Sequence, residues 1–95
     1  GICVSSDTFW PGQERYDSFT GYVLRRFQGS MKEWQQLGVT NYEMESAAIT
    51  GLCKLLGHRA ATICLIIANR INGDASADYH SYMNKLIRYT LEKLS

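Results

Sequence analysis

The sequence lacks most of the features that mark metal, nucleic-acid and membrane proteins. Its three cysteines, Cys3, Cys53 and Cys64, have neither close pairing nor metal-ligand spacing, so we expect buried reduced thiols rather than disulfides or a zinc site. A net charge of +1 gives no reason to expect a nucleic-acid or membrane partner. No Gly-rich phosphate loop, Cys-x-x-Cys or His-x-x-x-His motif occurs, and we expect no bound metal.

Long hydrophobic runs are also absent. The longest, residues 60–68, is too short to cross a bilayer, and nothing has the pattern of a signal peptide. We therefore expect a soluble, cytoplasmic protein.

The 95 residues show no repeat or linker that would divide them, and they open on a strand-like run without an initiating Met. We expect a fragment rather than a complete protein.

Hydrophobic spacing and turn residues predict alternating strands and helices. Ser30 begins a capping-box pattern, and Gly57 is placed to end a helix in the left-handed conformation. The run at residues 60–68 is typical of a strand buried on both faces of a sheet. These signals predict strands at residues 1–5, 39–42 and 60–68 and helices at residues 30–38, 45–57 and 77–94. The chain is thus assigned to the α/β class, with helices packed on a sheet.

The loop after the first strand combines an aromatic ring, a carboxamide and a guanidinium. Phe9 offers a face for stacking, Gln13 both donates and accepts, and Arg15 is a planar fork of donors that keeps its charge. A uracil edge, which presents N3–H, O2 and O4, matches this set. The same residues also suit a solvated polar turn, since Pro11-Gly12 is a common turn signal.

Two carboxylates stand where a short strand runs into a helix, at Glu43 and Glu45. A carboxylate accepts hydrogen bonds from two vicinal hydroxyls, so this junction suits a ribose. Alternatively, Glu45 complements the positive end of the following helix, an effect worth about 0.3–1 kcal/mol. Because ligands collect at the carboxyl ends of strands in such sheets, this junction, the loop with Arg15 and Asn69-Arg70 are expected to form one site.

Three stretches of the chain resemble one family. Residues 5–17 read SSDTFWPGQERYD, residues 25–46 read RRFQGSMKEWQQLGVTNYEMES, and residues 66–70 read IIANR. On these stretches the chain resembles the bacterial uridine phosphorylase family, within the nucleoside phosphorylase superfamily. The first stretch is specific to the uridine branch. The EMES segment is shared with purine nucleoside phosphorylases and nucleosidases, so it indicates the superfamily rather than the substrate.

The resemblance implies a role for each candidate residue. Gln13 and Arg15 would bind the uracil edge, and Phe9 would line the base and ribose pocket. Arg15 and Glu45 would be catalytic, Arg15 on the uracil carbonyl and Glu45 on the ribose 2′-hydroxyl. The ribose side would comprise Glu43, Met44 and Glu45, and the remaining base contacts would come from Ile67, Ala68 and, through water, Arg70.

The implied reaction is reversible phosphorolysis of uridine to uracil and ribose 1-phosphate, with inorganic phosphate as co-substrate and no cofactor. Residues 1–95 would be the C-terminal portion of a single domain, part of a three-layer α/β/α sandwich with a central mixed sheet. The family forms homo-oligomers, built from dimers and expected here to be hexameric. Its phosphate-binding groups come from the N-terminal half, so the chain alone is expected to be inactive.

Two alternatives stay open. Purine-specific relatives place an Asp near the end of the strand that corresponds to residues 60–68, where this chain has Asn69-Arg70. This difference favours a pyrimidine, but Asp74 nearby leaves a purine phosphorylase or a nucleosidase possible. The other alternative is a noncatalytic nucleoside-binding module.

Overall fold

A computed structural model describes all of residues 1–95 and divides them into two compact units. The first unit, Gly1–Thr62, contains β1 (Ile2–Ser5), a 3₁₀ turn (Arg25–Phe27), α1 (Ser30–Gln36), β2 (Val39–Glu43) and α2 (Ser46–Leu55). The second unit, Ile63–Ser95, contains β3 (Ala68–Asn69), β4 (Asp74–Ala75) and α3 (Tyr79–Leu94). Five of the six predicted elements are thereby confirmed, with ends shifted by a few residues.

Strands β1 and β2 form a parallel pair in the first unit. Ser5 lies opposite Glu43 at the end of the register, and Ser6 N–H continues the ladder to Glu43 O at 2.9 Å. Since parallel strands end at the same edge, the loop after β1 and the β2–α2 junction begin side by side. The expectation that these two segments neighbour each other is confirmed.

The capping role predicted for Ser30 is wrong. Gly29, with φ of 82°, is the N-cap of α1, and Ser30 is the first helical residue, with a buried hydroxyl that has no hydrogen-bond partner. The acceptor comes instead from Glu14, whose carboxylate takes the backbone N–H groups of Gly29 at 2.5 Å and Met31 at 2.8 Å. A capping box is a local pattern, and here a residue from a distant loop competes successfully for the same donors.

The end of α2 follows the prediction. Gly57 has φ of 80°, His58 N–H donates to Cys53 O at 2.7 Å, and Gly57 N–H donates to Lys54 O at 3.3 Å. This pair of bonds is a Schellman motif. The predicted apolar face of α2 is not buried within the chain, because Ala48, Leu52, Leu55 and Leu56 are all exposed.

The strand predicted at residues 60–68 is wrong over most of its length. Only Ala68 and Asn69 are in a strand, and Ile63 and Ile66 are each 59% exposed. A strand needs neighbours for its backbone donors and acceptors, and an apolar run does not specify those neighbours. Cys64 in this run and Cys3 in β1 are exposed, which also corrects the expectation of buried thiols.

Helix α3 carries the predicted stripe. Met83, Leu86 and Thr90 are half-buried, whereas Tyr79 and Leu94 at the helix ends are exposed. The spacing of three and four residues places the half-buried residues on one face. No helix in the structure has the length and apolar character needed to cross a membrane.

Candidate functional site

The loop after β1 is a closely hydrogen-bonded turn. Ser6 Oγ–H donates to Thr8 O at 2.8 Å, Gly12 N–H donates to Thr8 Oγ1 at 2.8 Å, and Arg15 N–H donates to Trp10 O at 2.9 Å. A Cβ at Gly12 would collide with the Ser6 hydroxyl, so the turn requires glycine there. The loop is thus held in a specific conformation by its own residues.

This turn brings together three of the residues predicted to bind the base, Phe9, Gln13 and Arg15. The guanidinium carbon of Arg15 lies 4.0 Å from the centre of the Phe9 ring, and Arg15 Nη2 donates to Gln13 Oε1 at 3.4 Å. Gln13 is only 5% exposed, whereas Phe9 is 43% exposed. Phe9 also meets Trp10 edge-on, with ring centres 4.9 Å apart. The cluster has a buried amide and a more open ring.

Arg15 retains donors that a ligand could use. A guanidinium has five N–H groups; the structure shows one hydrogen bond from them, to Gln13, and the buried Nε–H has no partner. However, the guanidinium covers one face of Phe9, so a base stacking on that face requires Arg15 to move aside. If Arg15 moved toward an acceptor on the ligand, its N–H groups would gain a hydrogen bond and the Phe9 face would be uncovered.

The Glu43 carboxylate is occupied by the start of α2. Its Oε2 accepts the N–H groups of Glu45 at 2.7 Å and Ser46 at 2.6 Å, while Oε1 accepts the Ser5 hydroxyl. Ser5 Oγ in turn accepts the N–H of Ala47 at 2.9 Å. The hydrogen bond from Ser5, together with those from the backbone of Glu45 and Ser46, outweighs desolvation and lowers the Glu43 pKa to about 2. Glu43 therefore ties β1, β2 and α2 together at the candidate site.

The lowered pKa predicts that stability depends on pH through Glu43. A carboxyl with a folded-state pKa of about 2, against an ordinary 4.5, stabilises the fold above pH 4.5 and loses that contribution as pH falls toward 2. Thermal unfolding of the wild type and Glu43→Gln between pH 7 and pH 2 should give a stability difference that shrinks over this interval. Ser5→Ala removes the largest cause of the lowered Glu43 pKa. It should therefore narrow the pH range over which the contribution of Glu43 to stability is lost. A stability difference independent of pH would contradict the assigned network.

Glu45 differs from Glu43 in having an available side chain. It is the N-cap residue of α2 and is exposed, and its carboxylate makes no hydrogen bond in the structure. Its backbone is fixed, because Glu45 N–H donates to Glu43 and Glu45 O accepts from Ile49 at 3.0 Å. Met44 between the two carboxylates is 39% exposed. The junction therefore presents one available carboxylate beside one that holds the backbone.

The other predicted residues belong to the second unit. Ile67 is 41% exposed, Ala68 begins β3, and Arg70 follows this strand and is half-buried. Strands β3 and β4 form an antiparallel hairpin, closed by Gly73 N–H to Asn69 O at 2.9 Å. Ile67 and Ala68 line a groove of about 280 Å³ in this unit. The structure thus groups these residues with one another.

Two residues that hold the site together were missed from the sequence. Ser5 links Glu43 to α2, and Glu14 links the loop to α1. Ser5 could have been found from its place at the end of β1, opposite the end of β2. Glu14 resembled a solvated charge beside a turn, and no local pattern pairs it with Gly29.

A separate cleft of about 340 Å³ opens between β1, the loop, the 3₁₀ turn and α1. Its lining includes Ser6, Thr8, Arg26, Glu33 and Trp34. None of the residues predicted to bind base or ribose lines this cleft.

Comparison with known proteins gives a consistent family. A sequence model of the Phosphorylase superfamily matches residues 1–91. The chain is 57% identical to the uridine phosphorylase of Salmonella typhimurium over 70 residues, which are 74% of this chain and 28% of that protein. The uridine phosphorylases of Klebsiella aerogenes and Escherichia coli are 57% and 56% identical over the same lengths. The chain therefore spans little more than a quarter of the length of these relatives.

The match to the superfamily model covers nearly all of the chain, and the alternating strands and helices of the first unit agree with the α/β fold that this family implies. The chain belongs to the Phosphorylase superfamily.

Proposed function

We propose that this chain is the uracil- and ribose-binding part of a uridine phosphorylase, a pentosyltransferase of nucleoside salvage. Its similarity to uridine phosphorylases at 57% identity supports the proposal. The observation that carries it is the grouping of Phe9, Gln13 and Arg15 after β1, beside the available Glu45 after the parallel strand β2. The substrates would be uridine and inorganic phosphate, with no cofactor.

The buried amide of Gln13 and the guanidinium of Arg15 would bind the uracil. Gln13 would pair with N3–H and O2, since a carboxamide offers an acceptor and a donor side by side. Arg15 would donate to O4, using N–H groups that make no hydrogen bond in the structure. In this arrangement Arg15 uncovers part of the Phe9 ring for the nucleoside. It loses its cation–π contact with that ring, and such contacts are worth about 0.5–1 kcal/mol at exposed sites.

The ribose would be held at the β2–α2 junction. Glu45 would accept the 2′-hydroxyl, because its carboxylate is exposed and makes no hydrogen bond within the chain. Met44 would pack against the sugar. Glu43 would contribute to the ribose side chiefly by fixing the backbone of Glu45 through the 2.7 Å hydrogen bond.

The chemistry follows from the charges that develop during the reaction. A phosphate oxygen attacks C1′ of the ribose, the C1′–N1 bond breaks, and its electron pair leaves with uracil. The negative charge spreads over the two uracil carbonyls, where Arg15 and Gln13 would stabilise it. The sugar becomes positive as the bond breaks, and the Glu45 carboxylate would favour this charge. A delocalised uracil anion does not require a general acid.

The family resemblance assigns the remaining contacts to the base to Ile67, Ala68 and Arg70. Ile67 and Ala68 would line the base pocket, and Arg70 would act through water. The Asn69 side chain accepts N–H groups of Ile71 at 3.1 Å and Asn72 at 3.4 Å, so it serves the turn. Such a side chain is a poor substitute for the acid that protonates a departing purine, which supports a pyrimidine substrate.

The purine alternative keeps one observation in its favour. Asp74 lies opposite Asn69 in the β3–β4 hairpin, close to the place of the acid in purine-specific relatives. Assays with inosine and adenosine beside uridine separate these possibilities: faster release of a purine would favour the alternative. Binding of uridine without any turnover would favour a noncatalytic module.

The whole protein would have the three-layer α/β/α sandwich with a central mixed sheet, of which residues 1–95 are the C-terminal portion. We propose a cytoplasmic homo-oligomer built from dimers, with a hexamer as the expected assembly. Neighbouring subunits and the N-terminal half would complete the phosphate and ribose sites.

The test is release of uracil from uridine by the full-length protein that contains this chain, with and without phosphate. Phosphate-dependent release is expected. Residues 1–95 assayed alone should show none, because positioning of the nucleophile at near-attack distance depends on groups outside this chain. Phosphate-dependent turnover by the isolated chain at a rate near that of the full-length protein would contradict this division of the site.

A further inference from the structure

The loop that carries Gln13 and Arg15 is attached to α1 by the residue between them. We propose that Glu14 is a positioning residue, whose carboxylate clamps this loop to the start of α1 and so holds Gln13 and Arg15 toward the base. The inference rests on the proposed function for the identity of the ligand. It goes beyond that function in assigning part of the base specificity to a residue that does not touch the base.

The contacts of Glu14 join the loop to the start of α1. Its Oε1 accepts Met31 N–H at 2.8 Å, and its Oε2 accepts Gly29 N–H at 2.5 Å and the Tyr16 hydroxyl at 2.7 Å. The hydrogen bond to Glu14 raises the pKa of Tyr16, as expected for a phenol that donates to a carboxylate. A charged acceptor makes stronger hydrogen bonds than a neutral one, so the loop and α1 are joined firmly.

The backbone of Glu14 has an uncommon conformation, which the contacts of its side chain would help to hold. Glu14 has φ of 51°, and every other residue with positive φ is a glycine. A side chain in this region is uncommon and persists where the surroundings hold it. The neighbouring bond from Arg15 N–H to Trp10 O closes the turn on the other side of Glu14.

The positive φ has a direct consequence for the flanking side chains. Relaxation of Glu14 to negative φ would rotate the peptide planes on either side and change the directions of Gln13 and Arg15. The pair now lies 3.4 Å apart, between Arg15 Nη2 and Gln13 Oε1. Loss of the carboxylate should therefore reduce recognition of the uracil edge while leaving the phosphate site unaltered.

The experiment compares Glu14→Gln with two matched variants in the full-length protein. The amide of Glu14→Gln keeps one acceptor oxygen and replaces the other with a donor, so in either orientation of the amide one of the N–H groups of Gly29 and Met31 faces a donor. Glu33→Gln removes a carboxylate from the first turn of α1, and the Glu33 side chain makes no hydrogen bond to the loop. Tyr16→Phe removes one contact to Glu14 and leaves those to Gly29 and Met31.

The readouts are kcat and KM for uridine, KM for phosphate, and hydrogen exchange in residues 9–16 and 29–36. We also measure the uridine-to-cytidine ratio, which is kcat/KM for uridine divided by kcat/KM for cytidine. For Glu14→Gln we expect kcat/KM for uridine to fall about tenfold, with a smaller uridine-to-cytidine ratio and KM for phosphate within about twofold of wild type. Exchange should increase in both segments. Glu33→Gln should leave all of these near wild type, and Tyr16→Phe should have an intermediate effect.

The outcomes separate the inference from the proposed function. Equal loss toward uridine and phosphate with an unchanged uridine-to-cytidine ratio would show a general structural role and overturn the positioning role. Unchanged kinetics and exchange in Glu14→Gln would overturn the clamp itself. A wild-type protein that releases no uracil from uridine would overturn the proposed function, and with it the assignment of base specificity, while hydrogen exchange would still decide whether Glu14 holds the loop.

Discussion

Cytidine should be turned over with a kcat/KM about 10⁴ lower than that of uridine by the full-length protein, since sites that hydrogen-bond a particular edge reject analogues by such factors. Cytidine presents an amino group where uridine has O4, so Arg15 would face a donor. It also lacks N3–H, so the hydrogen bond that uridine would donate to Gln13 is not formed, and Gln13 is only 5% exposed. Initial rates of base release at several concentrations of each nucleoside give the two kcat/KM values.

5-Methyluridine is the matched control, because it keeps N3–H, O2 and O4 and differs only at C5. Its kcat/KM should stay much closer to that of uridine than to that of cytidine. Similar turnover of cytidine and uridine would mean that Gln13 and Arg15 do not read the base edge.

Arg15→Ala in the full-length protein should lower kcat/KM for uridine by about one to two decades, the equivalent of a charge-assisted hydrogen bond of about 1.5–3 kcal/mol. Arg15 as a whole residue is half-buried, and its guanidinium makes one hydrogen bond within the chain, so the protein should remain folded. Steady-state kinetics and thermal unfolding measure the two effects. Gln13→Ala is a less clean test, since the buried amide also contributes to the loop.

Arg26→Ala is the matched control for Arg15→Ala. Arg26 likewise lies over an aromatic ring, 4.7 Å from the centre of Phe27, and is exposed. It is outside the proposed base site, so its removal should change kcat/KM little. Equal losses in both variants would show that the effect of Arg15 is not specific to the base.

Much of the first unit could be predicted because its signals are local. Gly57 marks the end of α2 through a left-handed conformation that glycine adopts readily. The apolar residues of β1 and β2 indicate strands, and the edge rule for parallel strands places Arg15 and Glu45 on neighbouring segments. The pairing of Ser5 with Glu43 is the structural form of that prediction.

The errors concern interactions between residues distant in sequence. The run at residues 60–68 has strand character, but strand formation depends on partners that the run does not specify. Ser30 has the right neighbours for a cap, yet Glu14 supplies the acceptor from another loop. Both outcomes are determined by tertiary contacts.

The two carboxylates at the β2–α2 junction illustrate the same limit within the site. The sequence presents Glu43 and Glu45 as similar candidates for the ribose. In the structure Glu43 accepts hydrogen bonds from Ser5, Glu45 and Ser46, whereas the Glu45 side chain makes none. Their different roles follow from the direction in which each side chain leaves the backbone, which spacing alone does not give.

A crystal structure of the full-length protein with uridine bound would test the assignment of Gln13, Arg15 and Glu45 to the nucleoside site. We expect the amide of Gln13 and the guanidinium of Arg15 within hydrogen-bond distance of the uracil edge, and the Glu45 carboxylate on the 2′-hydroxyl. Uridine bound elsewhere, with Arg15 still lying over Phe9 and Glu45 exposed to solvent, would contradict it.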